Sequence, residues 1–183
     1  TELFDALEPQ SYQPVAVADA LTELRLARPD RLRIHCVDIN DRVIQHLREF
    51  PKRRQLLLPP ERPHLSADYR AWFEKLGRSI GARDGARLVV RREVAERISA
   101  ERMNILTERY EPPPQYELVV ATNVLTYFDR AELGLALTSI ASMLGPGGYL
   151  VHNELRAEAE GFGRMLGLAP IQARSIEITT GPG

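Results

Sequence analysis

Hydrophobic and polar positions along the chain alternate between helix-like and strand-like segments. From residue 14 to residue 28 the apolar residues recur every three or four positions, which predicts a helix, Pro14–Arg28. An unbroken apolar run from Leu32 to Val37 then predicts a short buried strand. A second helical segment follows, which Asp41 can cap and Pro51 would end. The start of the chain is therefore typical of a βα protein.

The segment Lys52–Gly85 interrupts this alternation. It contains Pro59, Pro60 and Pro63, then a helical stretch with Tyr69, Trp72 and Phe73, and then Gly77, Gly81 and Gly85. We interpret residues 52–85 as a partly helical insertion at one edge of a sheet. It forms either a substrate lid or a structural cover, and the residue pattern leaves both alternatives open.

The strongest local signal lies between Tyr116 and Glu154. It predicts a strand, a helix and a second strand, namely Glu117–Ala121, Arg130–Leu144 with Asp129 as its cap, and Tyr149–Val151 after a Gly-Pro-Gly-Gly turn. A strand–helix–strand unit of this kind forms a right-handed crossover between parallel strands.

Three further elements complete the pattern. They are a strand at Arg87–Val90, a helix near Arg156–Leu166 and one or two final strands within Ile171–Thr179. Helices that alternate with strands predict an α/β fold with a Rossmann-like, doubly wound, mostly parallel sheet and an antiparallel C-terminal edge strand. We expect residues 1–183 to form a single domain that carries the insertion 52–85.

Composition and charge exclude several classes of protein. The chain has 183 residues, of which 44% are hydrophobic, and its formal net charge of −1 gives no indication of a nucleic-acid or membrane partner. Cys36 is the only cysteine, which excludes an intrachain disulfide, and we expect it to be a buried small hydrophobe. The absence of a long apolar run and of a signal peptide predicts a cytoplasmic location. The chain begins at Thr1, which indicates a fragment or a processed chain.

Polar residues at the predicted strand ends are the candidates for a site, because open α/β sheets bind ligands at the carboxyl edge. Asp38 ends the first strand, where a carboxylate can accept hydrogen bonds from the two hydroxyls of a ribose; its alternative role is a turn or helix cap. The loop at Asn104 and Ile105 could present an amide to an adenine edge.

A second group of candidates follows the later strands. Asn123, between Thr122 and Val124, can offer a donor and an acceptor to a ligand, or it can simply cap the next helix. Weak catalytic candidates are Tyr127, which is more typical of a pocket wall, and His152 and Glu154. The cluster His152-Asn153-Glu154 follows the next predicted strand and could orient a substrate or act as a base. Zinc-ligand spacing, a P-loop and a nucleophile elbow are absent from the sequence, so no metal is predicted.

These motifs resemble those of class I S-adenosylmethionine-dependent methyltransferases, and most closely the chemotaxis-receptor (CheR-type) family. The likeness runs from about Pro14 to Glu154 outside the insertion and rests on four blocks: Asp38-Ile39-Asn40, Asn104-Ile105, Thr122-Asn123-Val124-Leu125-Thr126-Tyr127-Phe128-Asp129 and Pro146-Gly147-Gly148-Tyr149-Leu150. The resemblance implies S-adenosylmethionine as cofactor, with Asp38 at its ribose, Asn104 and Ile105 at the adenine, and Thr122 and Asn123 near the methionine end. Ile39 and Val124 are implied as cofactor-binding residues too.

The chain departs from the family pattern at two places. The family has an arginine before the asparagine, where this chain has Thr122. No glycine occurs from Thr1 to Pro14, where the family's glycine-rich cofactor loop is expected. One alternative is that Leu3–Asp5 is a remnant first strand, with Glu8 or Gln13 where the family has an acid that holds the amino group of the cofactor. The others are that the glycine-rich loop lies upstream of this sequence, or that the cofactor site is degenerate.

The resemblance predicts an S-adenosylmethionine-dependent methyltransferase that transfers a methyl group directly to a small-molecule or protein acceptor, a receptor glutamate being one candidate. A sulfonium is a good methyl donor, so such a site needs alignment more than a base. The alternative is a catalytically inactive module of the same fold that binds a partner or senses the cofactor. A nicotinamide-dependent oxidoreductase is disfavoured, because it needs the same glycine loop and the Asn123 block does not fit it.

Overall fold

The computed structural model describes residues 11–58 and 67–171, except for the side chains of Asp68 and Tyr69. The chain divides into two compact regions, a first region, Thr1–Met103, and a second region, Asn104–Gly183. The helices of the described residues are α1 Gln13–Glu23, α2 Asp41–Arg53, α3 Ala67–Lys75, α4 Arg92–Ala95, α5 Arg130–Met143 and α6 Ala157–Met165, with a short 3₁₀ helix at Leu125–Tyr127. The strands are β1 Ile34–Asp38, β2 Gln55–Leu57, β3 Gly81–Asp84, β4 Arg87–Val90, β5 Ile98–Arg102, β6 Tyr116–Ala121 and β7 Leu144–His152.

A parallel pair of strands carries the first region. β1 pairs with β5 in a register that runs from Ile34 opposite Ile98 to Asp38 opposite Arg102. Helix α2 buries Ile44, Leu47 and Phe50, which recur at the three- and four-residue spacing of one helix face. β5 is not predicted by the sequence pattern, because Ile-Ser-Ala-Glu-Arg contains too few apolar residues to stand out.

A small antiparallel sheet also belongs to the first region. Its strand order is β2-β4-β3, with Leu56 opposite Leu88 and with Gly85 in the turn that joins β3 to β4. The strand predicted at Arg87–Val90 is confirmed as β4, but its expected place in the parallel sheet is wrong. The turn at Gly85, with φ +56°, makes β4 the hairpin partner of β3. The partly helical character expected between residues 52 and 85 is confirmed by α3, although this segment also supplies two of the three strands.

Helix α1 is tied directly to this segment. The buried carboxylate of Asp19 accepts hydrogen bonds from the backbone N–H groups of Gly77, at 2.7 Å, and Ser79, at 2.8 Å. The hydroxyl of Tyr12 donates to the carbonyl of Leu57 at 2.5 Å, and its ring meets that of Phe73 edge-on. These contacts hold both ends of the segment against α1 and the residue before it; residues 59–66 lie outside the described part of the chain, and the lid and the cover both stay predictions.

Three predicted helix details are wrong. Helix α1 ends at Glu23 and does not reach Arg28, since Arg25 adopts a left-handed conformation with φ +57°. Asn40, and not Asp41, caps α2: its side-chain oxygen accepts the N–H of Arg42. Pro51 lies inside the last turn of α2, where a missing N–H removes a single hydrogen bond, and the helix ends two residues later.

The second region is built on another parallel pair. β6 and β7 align from Leu118 opposite Tyr149 to Ala121 opposite His152. The predicted strand–helix–strand unit is thereby confirmed. The turn predicted at residues 145–148 is wrong: these residues belong to β7, where a shift in the register separates Tyr116, opposite Leu144, from Leu118. Helix α5 begins with a reciprocal capping box, in which Asp129 accepts the N–H of Glu132 and the Glu132 side chain accepts the N–H of Asp129.

Each region has its own hydrophobic core. The first core gathers residues from α1, the antiparallel sheet and the start of β5, with Val15, Leu88 and Val94 fully buried. The second core lies beneath α5, with Leu133 and Leu137 at 0% and 1% exposure. The mixed α/β architecture with parallel strands is therefore confirmed.

Several predictions fall outside the described residues. The remnant strand Leu3–Asp5, Glu8, the three prolines of residues 59–63 and the final strands beyond Ile171 are among them, so the antiparallel edge strand and the doubly wound order stay predictions. Across residues 11–58 and 67–171, none of the helices has the length and apolar character needed to cross a membrane.

Candidate functional site

The carboxylate of Asp38 stands at the carboxyl end of β1, as the sequence predicts. Its Oδ1 accepts the backbone N–H of Asn40 at 2.8 Å, which closes a tight turn, and its carbonyl accepts the N–H of Met103 at 3.0 Å. Among the described residues Oδ2 has no hydrogen-bond partner. The neighbouring Ile39 is 62% exposed. One carboxylate oxygen and an apolar side chain therefore face outward from this turn.

In the loop after β5, as in the Asp38 turn, a side-chain oxygen accepts the backbone N–H of the residue two positions further along the chain. Asn104 comes directly after Met103, and its side-chain oxygen accepts the N–H of Leu106 at 3.0 Å. The N–H of Asn104 itself donates to the Glu108 carboxylate at 2.7 Å. Ile105 is partly buried and packs against the second core. The amide nitrogen of the Asn104 side chain is thus the group that remains for a ligand such as an adenine edge.

Thr122, Asn123 and Val124 form the turn between β6 and the 3₁₀ helix. Asn123 has φ +57°, in the left-handed region that few non-glycine residues adopt. Its N–H donates to Asn153 Oδ1 at 2.8 Å, and Asn153 Nδ2 donates back to Asn123 Oδ1 at 2.7 Å. Thr122 is half-buried and Val124 is 42% exposed. A residue thirty positions away therefore holds this turn.

Glu154 and Arg156 form an ion pair behind the same turn. Arg156 Nη2 lies 2.8 Å from Glu154 Oε2, and the N–H of Arg156 donates to Glu154 Oε1 at 2.9 Å. The guanidinium also donates to the carbonyls of Leu125, at 2.8 Å, and Phe128, at 2.7 Å. The hydrogen bond from the Arg156 side chain is the main reason why the pKa of Glu154 lies below its ordinary value. Both oxygens of Glu154 are therefore engaged in holding the 3₁₀ helix.

The two remaining catalytic candidates are exposed. Tyr127 lies in the 3₁₀ helix with 80% of its surface exposed. His152 ends β7, and its Nδ1 accepts the N–H of Glu154 at 3.2 Å. Cys36, by contrast, is half-buried, and burial raises the pKa of its thiol to about 11, so it is protonated at neutral pH.

Within the second region the structure brings several candidates together. The second region gathers Thr122, Asn123 and Val124 with the residues that follow β7. Asp38 and Ile39 belong to the first region. Asn153 belongs to the cluster that the sequence places at the ligand edge, but its link to the Asn123 turn is not visible in the sequence. Arg156 is not predicted as a site residue at all, because no local spacing relates it to residues about thirty positions earlier.

The groups that remain accessible fit a nucleoside cofactor with a polar tail. A carboxylate with one unengaged oxygen suits a ribose diol, and an exposed isoleucine beside it suits the face of a base. The residue set includes no group of three or more histidine, cysteine or acidic side chains suited to a metal, within the part of the chain that the structure describes.

Comparison with known proteins supplies the family. A search of the curated proteins gives no match. Residues 12–158, which contain every candidate discussed above, match the family described as CheR methyltransferase, SAM binding domain. This match covers far more than half of the 183 residues. The chain therefore belongs to the CheR methyltransferase family, and the domain that it contains is the one that binds S-adenosylmethionine.

Proposed function

We propose that this protein transfers a methyl group from S-adenosylmethionine to a protein or small-molecule acceptor. One observation carries the proposal: the family match over residues 12–158 includes each strand end at which a cofactor-binding candidate lies. The site residues proposed for the cofactor are Asp38, Ile39, Asn104, Ile105, Thr122, Asn123 and Val124.

Asp38 is proposed to bind the ribose. Its Oδ1 is already used by the N–H of Asn40, which fixes the orientation of the carboxylate without any ligand. The unengaged Oδ2 then accepts hydrogen bonds from the ribose hydroxyls, and these bonds are strong because the acceptor is charged. Ile39 packs beside the sugar, while Asn104 and Ile105 line the adenine.

The turn formed by Thr122, Asn123 and Val124 is proposed to lie near the methionine end. Glu154 is proposed as a positioning residue and not as the base, since both of its oxygens bind Arg156. His152, exposed at the end of β7, is the candidate for an acceptor that has to lose a proton.

A carboxylate acceptor fits this arrangement best. Bound S-adenosylmethionine supplies a methyl group on a positively charged sulfur, which is a good leaving group. An acceptor carboxylate forms the new oxygen–carbon bond as the carbon–sulfur bond breaks, and the electron pair stays on sulfur to give S-adenosylhomocysteine and a methyl ester. No proton is removed, so the site needs no base, and a protein glutamate is the acceptor that family membership favours.

A second candidate function is a module that binds the cofactor or a partner without catalysis. The lack of glycine between Thr1 and Pro14 favours it, because a glycine-rich loop lets the backbone approach the cofactor closely. The enzyme and a cofactor-sensing module both bind S-adenosylhomocysteine, but only the enzyme transfers a labelled methyl group to an acceptor. A module that binds only a partner does not bind S-adenosylhomocysteine.

The test is isothermal titration with S-adenosylhomocysteine, using the wild-type chain, Asp38→Ala and Asp38→Asn. We expect micromolar binding by the wild type and at least about a hundredfold loss in Asp38→Ala, because two charge-assisted hydrogen bonds disappear. Asp38→Asn keeps an acceptor for the N–H of Asn40 and controls for loss of the turn. A folded wild-type chain that does not bind would contradict the proposal.

A further inference from the structure

We propose that Asn153 is a positioning residue that holds the cofactor-facing turn at Asn123 in its binding conformation. The role depends on the proposed function, since it concerns the same turn. Asn153 follows β7, whereas the turn follows β6, and these two strands are adjacent and parallel. Their carboxyl ends therefore lie side by side, where one residue can reach across to the other.

Two reciprocal hydrogen bonds link the residues. Asn153 Oδ1 accepts the backbone N–H of Asn123 at 2.8 Å, and Asn153 Nδ2 donates to Asn123 Oδ1 at 2.7 Å. A carboxamide offers a donor and an acceptor side by side, as this fork requires. The pairing therefore uses both ends of the Asn153 amide.

The turn needs this support because of its backbone. Asn123 has φ +57°, a left-handed conformation that costs free energy in any residue other than glycine. Asparagine tolerates it better than most residues, but the conformation persists only where the surroundings enforce it. The bond from the Asn123 N–H to Asn153 is the one that enforces it directly.

Arg156 holds the 3₁₀ helix that follows the turn. Its guanidinium binds the carbonyls of Leu125 and Phe128, and Glu154 fixes the guanidinium in turn. Asn153 thus holds the turn itself, while Glu154 and Arg156 hold the helix into which it leads.

The pairing also restricts how Asn123 meets the cofactor. Its N–H and its Oδ1 are each engaged by Asn153, so the side-chain nitrogen and the backbone carbonyl remain for a ligand. Asn123 therefore offers a cofactor one donor, its side-chain nitrogen, and one acceptor, its backbone carbonyl. The positions of both groups depend on residue 153.

The first measurement uses the chain without cofactor. Amide hydrogen exchange by NMR is compared among the wild type, Asn153→Ala and Asn153→Asp. We expect exchange at Asn123 to be roughly tenfold faster in Asn153→Ala, with Leu137 in α5 unchanged. Asn153→Asp should restore protection, because the Asn123 amide can turn over and donate its Nδ2 to the new carboxylate. Unchanged exchange at Asn123 in Asn153→Ala would show that Asn153 does not hold the turn, which overturns the proposal.

The second measurement is titration with S-adenosylhomocysteine. Asn153→Ala should bind about tenfold more weakly at an unchanged melting temperature, Asn153→Asp should recover most of that loss, and the exposed neighbour Leu155→Ala should bind like the wild type. Asn123→Gly, which accepts a positive φ, should lose less affinity than Asn123→Ala.

The outcomes separate the two proposals. If the wild type binds and Asn153→Ala binds equally well, the positioning role is wrong and the proposed function stands. If the wild type does not bind, the proposed function fails, and the positioning role in cofactor binding fails with it. Hydrogen exchange still decides whether Asn153 holds the Asn123 turn. A larger loss of affinity in Asn123→Gly than in Asn123→Ala would show that the left-handed backbone of the turn is not what needs support, which overturns the positioning account.

Discussion

The Asp38 turn of the first region and the Asn123 turn of the second region are held by hydrogen bonds that differ in sequence separation. Each presents polar groups at the carboxyl end of a parallel strand. The carboxylate of Asp38 is held by a bond to Asn40, two residues along the chain, while the Asp38 carbonyl also accepts the N–H of Met103 at the end of β5. The Asn123 turn is held by Asn153 and Arg156, about thirty residues away.

This difference has a physical consequence. A bond between near neighbours in the sequence costs little chain entropy, so it forms wherever the local residues favour it. A bond across thirty residues requires β6, α5 and β7 to be packed first. The Asn123 turn should therefore respond to damage in its supporting core, whereas the Asp38 turn should respond mainly to changes in its own residues.

The largest expected effect comes from Leu137→Ala in α5. Leu137 is 1% exposed in the second core, and removal of three carbons should lower the free energy of unfolding by about 3 kcal/mol through lost burial and a cavity. Hydrogen exchange should then speed up at Asn123 more than at Asn40. Chemical denaturation and NMR measure the two effects.

The matched control is Leu135→Ala, two residues away on the same helix. Leu135 is 47% exposed, so its loss should change stability by no more than about 0.5 kcal/mol. Equal sensitivity of Asn40 and Asn123 in Leu137→Ala would contradict the distinction between the two turns.

Asp19→Ala comes next and tests the first region. The buried carboxylate binds the N–H groups of Gly77 and Ser79, so its removal leaves two donors without an acceptor and should cost about 2 kcal/mol. Exchange at the N–H of Asn40 should not change, because the Asp38 turn is local. Urea denaturation gives the first quantity and NMR the second.

Asp19→Asn serves as the comparison variant, since its amide oxygen can still accept one of the two bonds. The free energy of unfolding should therefore fall by roughly half as much in Asp19→Asn as in Asp19→Ala. Faster exchange at Asn40 in Asp19→Ala would mean that the Asp38 turn also depends on distant contacts.

The smallest effect is a pH dependence in the second region. The hydrogen bond from Arg156 lowers the folded-state pKa of Glu154 below the unfolded value of about 4.3. The ionised carboxylate therefore contributes stability above about pH 4.3, and this contribution is lost as the pH falls through the folded-state pKa. The stability difference between the wild type and Glu154→Gln should shrink on acidification from about pH 6 to pH 3.

Urea midpoints of both proteins across that range provide the measurement. Glu132→Gln, at the capping box of α5, is the control for a half-buried carboxylate that is bonded to a backbone N–H and not to Arg156. A stability difference that stays constant with pH would show that Glu154 is not held in its ionised form by Arg156.

The sequence by itself determined the elements whose signals are local. The periodicity of α5, its Asp129 cap, the strand at Tyr116–Ala121 and the Asp38 turn all depend on residues within a few positions of one another. The family motifs also lie in these segments, which is why the cofactor could be predicted before any contact was known. Short-range hydrogen bonds and one-faced apolar patterns are properties of the chain itself.

Tertiary structure alone decided the rest. Strand β5 has too few apolar residues to be recognised, and it forms because β1 offers it a parallel partner. Strand β4 joins an antiparallel sheet because a hairpin pairs it with β3. Asn153 and Arg156 became site residues only when β7 came to lie beside β6. Pairing between distant segments depends on which surfaces the folded core brings together, and no local pattern in the sequence records it.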